Sequence, residues 1–145
     1  MSGRVVSLHV AASEGADIES PERVEIRADH GIVGDRKAKS GVKGQVTVFS
    51  LEKLAEASQE LGRPIEAGRT RRNIAVEGVE LPDLGGRLRL GPVLVEVTQD
   101  AAPCNLMNEL FGHGAKDALE DRAGVRAKVL EGGELGIGDA VSADD

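Results

Sequence analysis

The chain has 145 residues, 25 of them acidic and 18 basic, for a formal charge of -7, and it contains two Phe but no Trp or Tyr. That length suits a single domain over residues 1–145, large enough to bury about 68–70% of its unfolded surface. A chain this acidic and poor in rings offers neither the basic face nor the stacking platform of nucleic-acid recognition, and no apolar run reaches the length of a membrane span or of a signal-peptide core, so the sequence reads as a cytoplasmic protein that engages neither nucleic acid nor membrane.

In chain order, Arg4 to Val10 alternates as a first strand with Val6, Leu8 and Val10 on one side. Val24, Ile26 and Ala28 form a second alternating set, interrupted by turn chemistry at Asp29-His30-Gly31. Lys37 to Gly44 is a basic, glycine-containing loop: exposed amides and positive charge suit an anion, and an ordinary solvated loop has the same composition. Val46 to Phe49 reads as a strand, and Ser50 caps the clearest helix, whose stripe is Leu51, Leu54, Ala55, Ser58 and Leu61 and which Gly62 and Pro64 close.

Arg69, Arg71 and Arg72 cluster at the entrance to a further strand, where guanidinium groups suit either a phosphate or carboxylate ligand or surface ion pairs with the many acidic side chains. Arg87 to Leu90 alternates charge with leucine. Arg126 to Leu130 and Glu134 to Val141 read as the last strands, with Gly132-Gly133 between them as a hairpin signal; Gly133, Gly136 and Gly138 lie within that hairpin rather than between a strand and a helix, so they are not a dinucleotide loop. Many short strands, Gly-rich turns and one good helix indicate a mainly β fold, a mostly antiparallel and partly closed barrel with a few short helices.

The only cysteine lies in the stretch Gly91 to Phe111. A lone cysteine cannot close an internal disulfide, in keeping with a reducing compartment. Val93, Val95 and Val97 give a strand with one apolar face; Pro103 then suits the first position of a helix with Leu106, Leu110 and Phe111 as its stripe, ended by Gly112. Cys104 falls in the first turn on this reading, where free N–H groups favour a thiolate. The competing reading is a small buried hydrophobe, and the stretch by itself decides between neither.

His9, His30, His113 and Cys104 are too scattered for a structural zinc site, and nothing in the sequence sets His113 against the thiol as a hydrolase dyad would need. A thiolate also ligates a soft or intermediate transition metal as a single protein ligand.

Taken together, Gly31-Ile-Val-Gly-Asp-Arg36, Gln45-Val-Thr47, Gly68 with Arg72-Asn-Ile74, Leu81 through Leu84, Leu88-Arg-Leu-Gly91, Val95-Glu-Val97, Pro103-Cys104, Gly124-Val-Arg126, and Gly132-Gly133 through Gly138-Asp139 resemble the MOSC domain, the module named after the C-terminal domain of molybdenum cofactor sulfurase. The ensemble spans nearly the whole chain. The resemblance implies a small stand-alone member with a MOSC-type β-barrel, in which Cys104 is both the catalytic residue and the metal ligand: it either ligates molybdenum of the pterin cofactor or carries sulfur as a persulfide. It implies redox activity, as in reduction of N-hydroxylated compounds by larger relatives, or sulfur transfer; the alternatives are a carrier module without turnover and a barrel whose cysteine is only packed.

Because the molybdenum cofactor (molybdopterin) is anionic through its phosphate, the resemblance gives Arg36, Arg71 and Arg72 as cofactor or substrate contacts and Gln45, Asn73 and Thr98 as neutral hydrogen-bonding partners. Asp35 either orients Arg36 or is a turn residue. Expected partners are a cysteine desulfurase, a redox partner or a molybdoenzyme, together with a small-molecule substrate. Pyridoxal phosphate is not expected, since its chemistry belongs to a separate aminotransferase-like domain. The chain departs from many relatives in having Lys37 where they have His, and Asp100-Ala-Ala102 where a basic residue precedes Pro-Cys.

Overall fold

The computed structural model describes residues 3–144. Ten strands and three α-helices follow in order: β1 (Gly3–Leu8), β2 (Arg23–Arg27), β3 (Gly31–Ile32), β4 (Val46–Ser50), α1 (Leu51–Leu61), β5 (Ile74–Glu77), β6 (Arg87–Leu90), β7 (Val93–Asp100), α2 (Asn105–Phe111), α3 (Ala115–Ala118), β8 (Val125–Glu131), β9 (Gly133–Gly136) and β10 (Ala140–Asp144), with a 3-10 turn at Ala67–Thr70 before β5.

Seven strands close into a barrel in the order β1-β10-β6-β7-β8-β4-β5, and β3-β2-β9 form a small second sheet. Every ladder is antiparallel except β4 with β5. A parallel pair needs a crossover, and α1 supplies it. Ser50 accepts a hydrogen bond from the Lys53 amide at the start of that helix, and Gly62 takes the left-handed conformation at its end, φ 78°. The cap and stop therefore form as the sequence predicts, but the buried face is centred on Leu54 and Ala57, leaving Ala55 in solvent.

All of β4 is buried, which is the usual condition of a strand covered on both faces. Val46 and Val48 point into the barrel with Leu8, Ile74, Leu88, Val95 and Val129. Phe49 points outward into a second cluster, where Leu54, Ala57, Met107, Phe111 and Leu119 pack the helices on the barrel wall. Thus the barrel is filled by side chains, and its outer wall carries the elements around the cysteine.

Three local readings change. The register of β1 shifts between Val5 and Ser7, so Val5 and Leu8 face the core while Val6 is only half-buried. Ala28 leaves the second strand for the turn. Gly132-Gly133 is not a hairpin turn: β9 pairs with β2, not with β8. The glycines instead permit a close crossing, because a Cβ at Gly132 would come within 2.5 Å of the Ile26 carbonyl and one at Gly133 within 2.8 Å of the Pro92 ring. No helix among the described residues is long and apolar enough to cross a membrane.

Candidate functional site: a thiol beside a cationic rim

Cys104 is exposed. It is the N-cap of α2 rather than a residue of its first turn: the helix begins at Asn105, two residues after the Pro103 start that the sequence predicts, so Pro103 precedes the cap. The apolar face of α2 also turns: Met107 and Phe111 are buried, while Leu106 is 37% exposed. The packed-thiol alternative therefore does not describe Cys104. Burial is provided by Met107, three residues on.

The loop that delivers the thiol is held by Arg72. This side chain is only 9% exposed, and its guanidinium donates from Nη2 to Ala101 O and Ala102 O, both at 3.1 Å, and from Nε to Ala123 O at 3.4 Å. Nη1 has no acceptor among the described residues, yet no buried polar atom is left unpaired, so this nitrogen reaches the surface. No carboxylate among the described residues pairs with Arg72. Burial pulls its pKa down, with repulsion from Arg126 and Arg36 and an opposing contribution from Cys104.

Lys37 completes the rim. It is half-buried, and Nζ donates to Arg71 O at 3.0 Å. Burial lowers its pKa to about 8, opposed by Asp35 and reinforced by Arg36, Arg72 and Arg126. The one nearby carboxylate is already engaged: Asp35 accepts the Ala11 amide at 3.0 Å and the Lys37 amide at 3.1 Å. Since Arg36 donates its amide to Ala11 O at 2.8 Å, the whole turn is latched to the residue after the first strand region. Asp35 thus orders the backbone that carries Arg36 and Lys37, which answers the question left open by its sequence position.

The other sequence-predicted contacts are differently placed. Arg71 adopts a left-handed backbone, φ 61°, and sends both terminal nitrogens to Ala16 O at 3.2 and 3.3 Å. Gln45 is fully buried: it donates to Asp29 Oδ1 and Lys39 O and accepts from the Val129 amide. Asn73, also buried, accepts from the Thr47 amide and hydroxyl and donates to His9 O. Thr98 donates to Lys43 O at 2.6 Å. The structure therefore sets Arg72 against the loop just before Cys104, leaves Arg36 exposed on the Asp35 turn, and turns Gln45 and Asn73 into the wall. Arg126 was not among the predicted contacts; it lies on the exposed side of β8, where alternation makes it look like any outward charge.

The nearest large cavity, about 920 Å³, touches Ala101 to Pro103 but is lined by Glu52, Glu56, Glu80, Asp83, Glu120 and Asp121, and Cys104 is not among its walls. Its charge opposes an anionic ligand. Among the described residues no three His, Cys, Asp or Glu side chains gather as a metal cage, and no hydrogen bond links a histidine to the thiol, His9 being held instead between the Ser7 and Ser20 hydroxyls. What the thiol offers is a soft single ligand, exposed on the loop that Arg72 holds.

Comparison with known proteins agrees with the architecture. Among solved structures, the YuaD protein from Bacillus subtilis superposes with a TM-score of 0.79 at 19% identity, covering 97% of this chain and 94% of that one. YiiM from Geobacillus stearothermophilus gives 0.76 at 19% identity, with 99% and 75% covered, and YiiM from Escherichia coli 0.73 at 16%, with 98% and 70% covered. At those identities the likeness is one of fold. No curated protein sequence matches the chain. The MOSC domain family model matches residues 35–142, from the buried Asp35 latch to the last barrel strand, and the chain belongs to the MOSC family.

Proposed function

We propose that this MOSC-family protein holds molybdenum cofactor, or the sulfur destined for it, through Cys104. The observation that carries the reading is the exposed Cys104 on a loop whose Ala101 and Ala102 carbonyls are held by Arg72, nine-tenths buried and, among the described residues, without a carboxylate partner. Cys104 would supply the ligand or sulfur-carrying atom, and Arg36, Arg72 and Arg126 the charge that attracts an anionic phosphate. When bound, the cofactor would supply oxygen-atom and electron chemistry, as in reduction of N-hydroxylated compounds. The chain's own residues position the thiol: Arg72 pins the two carbonyls before Pro103, and Met107 and Phe111 anchor α2 on the barrel. In a purely carrier role the same residues hand cofactor or sulfur to a molybdoenzyme, with a cysteine desulfurase or a redox partner upstream.

The test is molybdenum and pterin content of wild type and Cys104→Ser, both purified from a host that makes the cofactor and both checked for the native circular-dichroism spectrum. Near-stoichiometric metal in wild type that is lost in the variant is the expected result. A second sample, exposed to a desulfurase and radiolabelled cysteine, is expected to take label at Cys104. A folded wild type that takes neither metal nor label overturns the proposal.

A further inference from the structure

The cavity of about 920 Å³ behind the Ala101–Pro103 loop holds most of the protein's excess charge. Seven carboxylates and two cations line it, a net charge of -5 out of the chain's -7, so the rest of the chain, with 18 acidic and 16 basic residues, is close to neutral. These carboxylates do not converge as a metal cage would, since no three of them gather among the described residues. They are spread along a groove built from the start of α1, the loop from Gly78 to Leu84, the stretch from Asp100 to Pro103 and the turn from Glu120 to Val125. The 78–84 loop adds apolar surface: Val79 and Leu81 pack back on the barrel core, while Leu84 is 67% exposed, the most of any large hydrophobic side chain among the described residues.

Both long walls are fixed by the protein itself. The Gly78 amide donates to Glu52 Oε2 at 2.8 Å and the Gly85 amide to Val97 O at 2.9 Å, which pins the loop at both ends. Across the groove, the Ala101 amide donates to Gly124 O at 3.0 Å, and a Cβ at Gly124 would come within 2.3 Å of Val48 O, so a glycine lets that turn lie against β4. A preformed groove of this size, acidic along its length and apolar at one rim, suits an extended segment whose charges align it and whose apolar side chain anchors it.

We propose that this groove docks a basic, extended segment of a partner protein, with Lys or Arg side chains against the carboxylates and an aliphatic side chain on Leu84. Charge complementarity decides the occupant. The two cations of the lining, Lys53 and Arg122, both pair with Glu56, which leaves Glu80, Asp83 and Glu120 to meet the charge of the partner. A second copy of this chain brings a net charge of -7 and is repelled on balance. A small polycation matches the carboxylates but leaves Leu84 in water, and that difference separates it from a protein segment. The inference is independent of what Cys104 carries, because Cys104 is not among the walls; Ala101 to Pro103 are, so a docked partner lies alongside the loop that presents the thiol.

The experiment measures, by fluorescence anisotropy, binding of the full chain to a labelled arginine-and-alanine peptide with one central leucine and the same charge as spermine, with unlabelled spermine as competitor. Binding is expected at low salt and should weaken as salt is added. Glu80→Gln/Asp83→Asn/Glu120→Gln is expected to weaken it about tenfold. Glu14→Gln/Glu66→Gln/Glu109→Gln removes the same charge from exposed positions outside the groove and is expected to weaken it less than about threefold. Leu84→Ser should weaken the peptide about threefold and leave spermine unchanged. A wild type that does not bind the peptide at low salt overturns the proposal. Equal weakening by the two triple variants also overturns it, because overall charge rather than the groove then attracts the peptide. Peptide binding that Leu84→Ser leaves unchanged, with spermine an equal competitor, overturns the assignment to a protein segment and makes the groove a small-polycation site.

Discussion

Asn73 follows Arg72 directly in the chain, and Thr47 sits opposite Arg126 across β4 and β8, yet the two members of each pair belong to different worlds. Asn73 and Thr47 exchange hydrogen bonds with each other, and Asn73 Nδ2 also donates to His9 O. Arg72 and Arg126 have no ion-pair partner among the described residues. The same polar signal in a sequence therefore serves two ends, and the distinguishing property is whether the protein itself satisfies the group. A saturated network stabilises the barrel; an unsaturated one is available to a ligand.

The largest effect should come from the saturated side. Asn73→Ala strands the buried Thr47 amide and the His9 carbonyl together, and about 3 kcal/mol of stability should be lost in urea unfolding. Should Asn73 instead be a ligand contact that stability does not need, the urea midpoint would hardly move. Next comes Arg72→Ala, which deprives Ala101, Ala102 and Ala123 carbonyls of their donor; a loss of about 2 kcal/mol is expected. Unlike Asn73→Ala, it should also slow alkylation of Cys104 by anionic iodoacetate more than by iodoacetamide, and equal slowing would place Arg72 with the structural group.

A smaller effect separates His9, held in the wall between two serines. Burial lowers its pKa below the ordinary 6.5. The unfolded chain then binds a proton that the native protein resists, so stability is unaffected by His9 above about pH 6.5 and declines as pH falls below it. Urea midpoints across pH 7.5 to 5 should show this decline, and His9→Gln should flatten it; an unchanged slope would mean that other groups carry it. Smallest of all is Arg4→Ala. Its ion pair with Glu77 is exposed, and less than about 1 kcal/mol should be lost, with nothing changed at Cys104.

Where structure follows from neighbours in sequence, the sequence is a good guide. Ser50 and Gly62 bracket α1 because a cap needs only a side-chain oxygen three residues from an amide and a stop needs only a residue that tolerates positive φ. The mainly β barrel follows from strand alternation in the same way. Gly132-Gly133 fails as a hairpin signal because its explanation lies with Ile26 and Pro92, far away in the chain. The site divides along the same line. Cys104 and Arg36 are conspicuous by residue type and setting, whereas the inward turn of Gln45 depends on Asp29 and Val129. Arg126 is recognisable only after β8 is laid beside β4.

The closed barrel has one more consequence, for the protein's behaviour in concentrated solution. A strand at the border of a sheet carries unmet amides and carbonyls that can recruit another chain, but a closed ring of seven has no border. Among the described residues, the borders belong to the small sheet, where β3 is two residues long and β9 is four, with glycine at both ends. Those stubs are too short to template a fibril seam. Crowded molecules of this protein therefore meet mainly through side chains, and with a net charge of -7 those encounters are, on balance, repulsive.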